Sequence, residues 1–263
     1  MTTGVLKKVI KLLIPPVLMM IYFNLRGWRS LFERRGLKDS ELYTPIFSPW
    51  LGLKNSLPDY HDIHRLSLVS DDRIWVLRSL LQQALALSSQ SESLDCFELG
   101  VFRGGTAKMF ARMILEHNAL LDVEFPVTLR LFDTFDGMPE TDSSRDYHNA
   151  GDFQNTNLDL VKKNVGEGDF IRYYPGFIPD TFTGLEGRNI CFAHIDVDIY
   201  CSVLDSCHFV YDRLVSGGVI VFDDYGFPSC PGARMAVDEF FANKPEVPLV
   251  LQTGQAVMMK LPK

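Results

Sequence analysis

Short apolar runs that alternate with amphipathic helices constrain the fold of this chain more than any other feature of its sequence. From Ser70 onward, apolar residues first recur at helical spacing, which predicts a helix over 70–88, and then fall into runs of strand length. The predicted strands are Cys96–Leu99, Thr128–Phe132, Phe170–Tyr174, Ile190–Ile195 and Gly218–Phe222, and the further predicted helices are Thr106–Glu116, Leu158–Asn164, Val203–Leu214 and Ala233–Asn243. This alternation predicts an α/β fold with a doubly wound, mostly parallel sheet.

The end of the chain breaks the alternation. Leu249–Gln252 and Ala256–Lys260 flank the turn Thr253-Gly254-Gln255 and read as a hairpin, which adds an antiparallel strand to the sheet. This combination favours the seven-stranded, Rossmann-like sheet of class I methyltransferases over a dehydrogenase sheet, which usually continues in parallel strands. We therefore predict a catalytic domain over residues 66–263, preceded by a helical or irregular extension over 1–65 that forms an N-terminal arm and substrate lid.

A glycine-rich turn follows the first predicted strand. The segment FELGVFRGGT, Phe97–Thr106, ends a strand in an acid and opens a helix, so backbone N–H groups are free to meet a ligand. Its glycine spacing is not the GxGxxG of dinucleotide sites, which favours a nucleoside cofactor without pyrophosphate, such as S-adenosylmethionine (SAM). The candidate cofactor residues are Glu98, Gly100, Arg103, Gly104, Gly105 and Thr106, with Asp133 at the end of the next strand to bind the ribose hydroxyls. A tight turn without a ligand is the alternative.

Acidic residues follow two later strands. Asp196 and Asp198 come after one strand, and Asp223 and Asp224 come after the next, 27 residues further on. Because parallel strands end at one edge of a sheet, these carboxylates are expected to converge, and they would repel one another without a cation among them. Oxygen ligands favour Mg²⁺, with Mn²⁺ or Ca²⁺ as alternatives. The alternative is that these acids only cap helices.

These motifs resemble the TylF/MycF family, the macrocin-type sugar O-methyltransferases. The resemblance covers roughly residues 65–260 and rests on FELGVFRGGTA, DTFDGMP, GDFQNT, HIDVDIY, GGVIVFDDYG and PGARMAVDEFF. It implies a class I methyltransferase that uses SAM and Mg²⁺ on a sugar hydroxyl, as a dimer or larger homo-oligomer with a mobile lid. Chemically, a metal would lower the pKa of the hydroxyl and a carboxylate would take its proton.

The resemblance also implies residue roles. Asp196, Asp223 and Asp224 match the metal ligands, and Asp196 or Asp198 matches the catalytic base. Glu98, Gly100 and Asp133 match cofactor contacts, and Asp152 and Phe153 match the lid. Arg103 either pairs with Glu98 or faces the cofactor carboxylate, His194 is expected to be a packed residue, and His148 is expected to be exposed.

The N-terminus departs from this family. Seven basic residues stand against one acid in the first 35 positions, around the apolar stretch Leu12–Phe23, whereas the whole chain has a net charge of −7. The stretch is too short to span a bilayer, so it is expected to touch an anionic membrane face or to pack on the protein. It resembles leaders of surface-polysaccharide methyltransferases, so a glycan or lipid-linked sugar is as good an acceptor as a secondary metabolite.

The composition of the chain and one further motif bear on the partners, the location and the alternative functions of the protein. An acidic body argues against nucleic acid as a partner, and five scattered cysteines without a CxxC pair indicate a reduced, cytoplasmic protein, with the inner membrane face as a further location. Asp196-Val197-Asp198 is also a DxD motif, which makes a metal-dependent glycosyltransferase the first alternative. A non-catalytic, membrane-docked member of the fold is the second, and a dehydrogenase, which lacks its fingerprint here, is the third.

Overall fold

A seven-stranded sheet organises the part of the chain that this computed structural model describes, residues 48–87, 93–121 and 127–262. Its strands are β1 (Asp95–Leu99), β2 (Thr128–Asp133), β3 (Ile171–Pro175), β4 (Ile190–Ile195), β5 (Leu214–Phe222), β6 (Leu249–Val250) and β7 (Ala256–Met259). They lie in the order β3-β2-β1-β4-β5-β7-β6. Strands β1 to β5 are parallel, and β7 pairs antiparallel with both β5 and β6. The predicted doubly wound sheet with a terminal hairpin is confirmed.

Helices connect these strands. They are α1 (Leu53–Ser56), α2 (Tyr60–Leu66), α3 (Asp71–Leu85), α4 (Gly105–Leu121), α5 (Leu158–Val165), α6 (Tyr200–Arg213) and α7 (Pro231–Phe241), with 3₁₀ turns at Pro49–Gly52 and Asp180–Phe182. Asp71 and Asp72 occupy the first turn of α3, where carboxylates interact favourably with the helix dipole.

Helices cover both faces of the sheet, which is why the central strands β1 and β4 are buried along their whole length. On one face α3 and α4 pack on a cluster that contains Phe110 and Cys96, and on the other face α6 and α7 pack on a cluster that contains Val210 and Phe97. Cys96 and Phe97 are neighbours in β1, so successive side chains of one strand enter opposite layers of the core.

The helices before α3 pack on this core as well. Leu53 of α1 and Ile63 of α2 are each 1% exposed and belong to the α3–α4 cluster. Residues Pro49–Lys263 form one compact unit. The described end of the predicted arm therefore packs on the core of the sheet.

Two predicted boundaries differ from the structure for identifiable reasons. Helix α6 begins at Tyr200, not at Val203, because the Asp146 carboxylate of a distant loop accepts from the Tyr200 N–H at 2.9 Å. Strand β5 begins at Leu214, not at Gly218, since Gly217 and Gly218 exchange backbone hydrogen bonds with Lys260 beyond β7.

Some predictions concern other parts of the chain. The basic arm with Leu12–Phe23 and the helix break at 88–91 lie outside the described residues. Every helix within the described ranges is too short or too polar to cross a bilayer.

Candidate functional site

The glycine turn after β1 brings the ends of two strands into contact. Gly100 has a φ of +88°, and a Cβ on it would lie 1.8 Å from the carbonyl oxygen of Asp196 after β4. Its N–H donates to the carbonyl of Phe132 on β2. A side chain at this position would force the strand ends apart, so Gly100 sets the geometry of the carboxyl edge.

The other glycines of the turn serve packing. A Cβ on Gly104 would lie 2.6 Å from Val165 of α5, and one on Gly105 would lie 2.5 Å from Ser67. The Arg103 guanidinium donates to the carbonyl of Asn155 at 3.1 Å and lies over the ring of Phe102, and its contacts among the described residues do not include Glu98. These three residues build the turn without lining the cavity beside it.

Asp133 at the end of β2 holds the turn in place. Its Oδ2 accepts from the N–H groups of Val101 and Phe102 at 2.7 and 2.9 Å, and its Oδ1 accepts from the N–H of Phe135 at 2.7 Å. A carboxylate that receives three backbone hydrogen bonds is both rigid and well stabilised. Asp133 thus ties the end of β2 to the turn after β1.

A cavity of about 390 Å³ opens at this edge of the sheet. This is within the range of small-molecule sites in proteins. The residues that line the cavity come from the glycine turn, from the end of β2 and the loops beyond it, from the acidic segments after β4 and β5, and from α3. They include Gly100, Val101, Phe102, Thr106, Asp133, Thr134, Met138, Phe153, Phe177, Asp196, Asp198, Asp224 and Arg73.

The acids after β4 and β5 meet at this cavity. Asp223 is completely buried and Asp224 is 7% exposed. The Asp224 carboxylate accepts from the Asp198 N–H at 3.2 Å, and one Asp196 oxygen and one Asp223 oxygen lie within 4.8 Å of each other. Asp198 has a φ of +56°, the strained left-handed conformation that is uncommon outside glycine and concentrates at functional sites.

Burial and mutual repulsion act on these carboxyls. Burial, followed by the charge of Asp223, holds the pKa of Asp196 well above its usual range. Burial, followed by the charges of Asp198 and Asp196, does the same to the pKa of Asp224. Both carboxyls therefore resist ionisation unless positive charge enters their surroundings.

His194 lies beneath these acids as a buried cation. Its Nδ1 is 3.3 Å from a Glu98 carboxylate oxygen, and its Nε2 is 3.5 Å from Asp223 Oδ1. Burial alone would lower the pKa of His194, but Asp223 and Glu98 raise it to about 10. Glu98 is fully buried in this pair and does not line the cavity. His194 is packed, as predicted, and its raised pKa favours the protonated ring, although its Nε2 makes no hydrogen bond with the described residues.

Two further partners of Asp223 were not predicted from the sequence. The guanidinium of Arg73, on α3, pairs with Asp223 Oδ2, donates to the carbonyl of Leu68 and lies 4.8 Å from the ring centroid of Phe227. Gln255, in the turn of the hairpin, donates to Asp223 Oδ1 at 2.7 Å. Both contacts join positions far apart in the chain, which no local pattern can reveal.

The charge balance of this acid cluster fits a divalent cation. Among the described residues, Arg73 pairs with Asp223, and His194 is shared between Asp223 and Glu98, while Asp196 Oδ2 lies 4.0 Å from His194 Nε2. A divalent cation would offset the burial and mutual repulsion that raise the pKa of Asp196 and Asp224, and oxygen donors suit Mg²⁺ or Mn²⁺.

His148 is not the exposed loop residue that its neighbours predicted. Its side chain is 20% exposed, with Nδ1 3.2 Å from Asp152 and Nε2 3.7 Å from Asp198. The loop that carries Asp152 and Phe153 thus contacts the acid cluster, and Phe153 also lines the cavity.

The fold and the cavity define a class of protein. A sheet of this strand order, closed by an antiparallel hairpin and bearing a cavity at the carboxyl edge beside a glycine turn, is that of a class I methyltransferase. The chain belongs to the macrocin-O-methyltransferase (TylF) family, whose family model matches residues 63–253. The family resemblance predicted from the motifs is confirmed.

Proteins of known function are similar in sequence to part of this chain. The mycinamicin III 3''-O-methyltransferase of Micromonospora griseorubida is 32% identical over 160 residues, 56% of this chain and 59% of that protein. The demethyldecarbamoylnovobiocin O-methyltransferase of Streptomyces niveus is 28% identical over 159 residues, 56% of this chain and 58% of that protein. The match thus spans little more than half the length of these relatives.

Solved structures agree on the fold. The O-methyltransferase NovP matches with a TM-score of 0.62 at 20% identity, over 75% of this chain and 83% of that one. A calicheamicin methyltransferase matches with a TM-score of 0.60 at 18% identity, over 84% of this chain and 89% of that one.

Proposed function

We propose that this protein is a SAM-dependent O-methyltransferase that methylates a hydroxyl of a sugar-containing acceptor and depends on a divalent cation. The observation that carries the proposal is the opening of the Asp196, Asp198 and Asp224 carboxylates into the cavity that the glycine turn also lines. Family membership and the relatives named as methyltransferases of glycosylated natural products support it.

The turn and Asp133 would hold the cofactor. Gly100, Val101 and Phe102 present backbone to the cavity, and Thr106 stands in the first turn of α4. Asp133 Oδ2 is occupied by two N–H donors, whereas Oδ1 has one backbone donor and keeps an acceptor position for a ribose hydroxyl. Glu98, Gly104, Gly105 and Arg103 would act indirectly, by shaping the turn.

Asp196, Asp223 and Asp224 would hold the cation. A divalent cation supplies Lewis acidity there, which lowers the pKa of an acceptor hydroxyl and fixes its oxygen. Asp196 and Asp224 offer the more accessible oxygens, because Asp223 already accepts from Arg73 and Gln255. Arg73 and His194 keep Asp223 ionised, since together they hold its pKa below the usual range against the effect of burial.

Asp198 is the stronger candidate for the base, and Asp196 the alternative. Its left-handed backbone turns the carboxylate toward the cavity, and burial raises its pKa, which brings its basicity closer to that needed near neutral pH. The acceptor oxygen would give its proton to this carboxylate and bond to the methyl carbon, while the sulfur of the donor keeps the electron pair of the broken C–S bond.

The mouth of the cavity suits a sugar. Phe153, Phe177 and Met138 lie in its lining, and Phe177 is 54% exposed, so an apolar surface is available for the C–H face of a pyranose. A relative from Streptomyces olivaceus is named as the 4'-O-methyltransferase of a rhamnosyl-tetracenomycin, which supports a glycosylated small molecule, and a glycan or lipid-linked sugar is the second candidate acceptor.

The test uses the purified full-length chain. Labelled SAM is incubated with deoxysugar glycosides and with polysaccharide-type sugars, with Mg²⁺, with Mn²⁺ or with EDTA, and a parallel reaction contains UDP-sugars in place of SAM. Methyl transfer to a sugar that stops in EDTA supports the proposal. Sugar transfer from UDP-sugars would support the glycosyltransferase alternative, and SAM binding without turnover on any acceptor would support a non-catalytic member.

A further inference from the structure

A second group of potential metal ligands lies beside the acid cluster. Cys230 Sγ is 3.3 Å from Asp198 Oδ1 and 3.6 Å from His148 Nε2, and that nitrogen is 3.7 Å from the same Asp198 oxygen. Cys230 precedes α7 and is 4% exposed, so the group combines a buried thiol, an imidazole and a carboxylate from three separate segments.

The three distances match one face of a metal tetrahedron. Ligand bonds of about 2.0 Å to nitrogen or oxygen and about 2.3 Å to sulfur place a sulfur about 3.5 Å from a nitrogen or oxygen ligand, and a nitrogen about 3.3 Å from an oxygen ligand, in tetrahedral Zn²⁺ sites. The two sulfur separations, 3.3 and 3.6 Å, are close to that value, and the nitrogen–oxygen separation of 3.7 Å has to shorten by a few tenths of an ångström. An ion therefore fits between these atoms with little movement of the side chains.

His148 is also oriented as a metal ligand. Its Nδ1, the nitrogen that faces away from Cys230, is 3.2 Å from Asp152 Oδ2, and the same Asp152 oxygen accepts from the Asn149 N–H at 3.0 Å. A carboxylate on the far nitrogen of a histidine is the usual support of a ligating imidazole, because it fixes both the ring and its tautomer.

We propose that His148, Asp198 and Cys230 form a site for a thiophilic transition metal, with Zn²⁺ as the natural occupant and water as the fourth ligand. The donor set of sulfur, nitrogen and oxygen suits Zn²⁺ and disfavours Mg²⁺, which selects oxygen alone. The S–H bond of Cys230 breaks as the sulfur–metal bond forms, and its proton passes to solvent.

Occupation of this site has a consequence that rests on the proposed function. Asp198 is a much weaker base for an acceptor hydroxyl while its Oδ1 binds the metal, because the cation neutralises the charge of the carboxylate. Zn²⁺ bound here therefore inhibits methyl transfer even when Mg²⁺ is in excess, and a chelator selective for Zn²⁺ restores activity.

The binding test needs no enzymatic turnover. Co²⁺ is added to the purified chain in excess Mg²⁺, and the thiolate-to-Co²⁺ charge-transfer band in the near ultraviolet is measured, followed by displacement with Zn²⁺. The variants are Cys230→Ser, His148→Asn and, as the matched control, Cys201→Ser, which removes the exposed thiol at the cavity rim. Circular dichroism reports on their folding.

The wild type and Cys201→Ser are expected to show the band, Cys230→Ser is expected to lack it, and His148→Asn is expected to bind Co²⁺ at least about tenfold more weakly. The inference is overturned if the wild type shows no thiolate band, if Cys230→Ser keeps it, or if Cys201→Ser loses it. Should Cys230→Ser not fold, an unchanged affinity in His148→Asn overturns it. A band without inhibition by Zn²⁺ would contradict the role of Asp198 as the base and leave the metal site intact.

Discussion

Arg73 and Asp223 form an ion pair across 150 positions of the chain, with the Asp223 side chain completely buried and the Arg73 side chain 13% exposed. The pair connects α3 to the end of β5 and places a fixed positive charge at the edge of the acid cluster. Through this pair, helix α3 contributes a positive charge to the acid cluster.

Replacing Arg73 by Met is expected to destabilise the protein by about 1.5–3 kcal/mol, because it removes one charged donor from a buried carboxylate that keeps Gln255 and His194 as neighbours. Urea unfolding in EDTA measures the loss, and added Mg²⁺ is expected to recover part of it by supplying the missing charge. The control is Arg234→Met, whose pair with Asp238 has side chains 63% and 53% exposed, and it is expected to cost less than about 0.5 kcal/mol. Equal losses in the two variants would count against a strong buried pair.

Asp224→Asn is expected to lower kcat at least about 100-fold, because it removes an oxygen ligand and a negative charge from the proposed cation site. Binding of S-adenosylhomocysteine, measured by calorimetry, should stay unchanged, since Asp224 does not contact the glycine turn. Asp212→Asn on the exposed side of α6 is the control. Full activity of Asp224→Asn in EDTA would refute a metal role for this residue.

Asp133→Ala is expected to weaken S-adenosylhomocysteine binding about tenfold or more, because a hydrogen bond to a charged group contributes about 1.5–3 kcal/mol and the turn loses two of them. Calorimetry measures the affinity, and Asp136→Ala, an exposed acid three positions on, is the comparison. Equal affinities of the two variants for S-adenosylhomocysteine would show that Asp133 does not bind the cofactor and that other contacts can hold the turn in its place.

Glu246→Gln is expected to lower stability at neutral pH by about 1–3 kcal/mol. The Glu246 carboxylate accepts from the Tyr211 hydroxyl at 2.6 Å and from the Leu261 N–H at 3.2 Å, which ties the end of the hairpin to α6. Burial alone would raise the pKa of Glu246, but the Tyr211 hydroxyl and backbone donors hold it below its ordinary value.

A depressed pKa in the folded state means that this stabilisation is present above the unfolded-state value, about 4.3, and is lost as pH falls through the folded-state pKa. The difference in unfolding free energy between wild type and Glu246→Gln should therefore be constant from neutral pH down to about 5 and then shrink. A difference that does not change with pH would show that the carboxylate charge contributes nothing.

The sequence predicted the features that depend on local pattern. The alternation of strands and helices predicted a parallel sheet between layers of helices. The turn Thr253-Gly254-Gln255 predicted the antiparallel hairpin that distinguishes this sheet from a dehydrogenase sheet. Helix α6 began earlier than predicted because Asp146 caps it from a loop 54 positions away. Such contacts are tertiary, and residue spacing does not encode them.

The same distinction applies to the site. The acids follow consecutive strands of the sheet, so their meeting at one edge follows from topology. Arg73, Gln255 and Cys230 reach that edge from a helix, a hairpin turn and a loop, and only the folded chain shows that they contact Asp223 or Asp198. The glycines were predicted as cofactor contacts, and the structure adds a second reason for two of them, since Val165 and Ser67 pack closely against Gly104 and Gly105.

The close backbone contact at Gly100 limits where substitutions can change the acceptor of this protein. The glycine turn, which would hold the methyl donor, is in contact with the backbone of Asp196, which would hold the cation. A substitution that shifts the turn therefore also shifts Asp196. Selection for new acceptors is therefore confined to the surrounding loops, where Met138, Phe153 and Phe177 can vary without disturbing the chemistry.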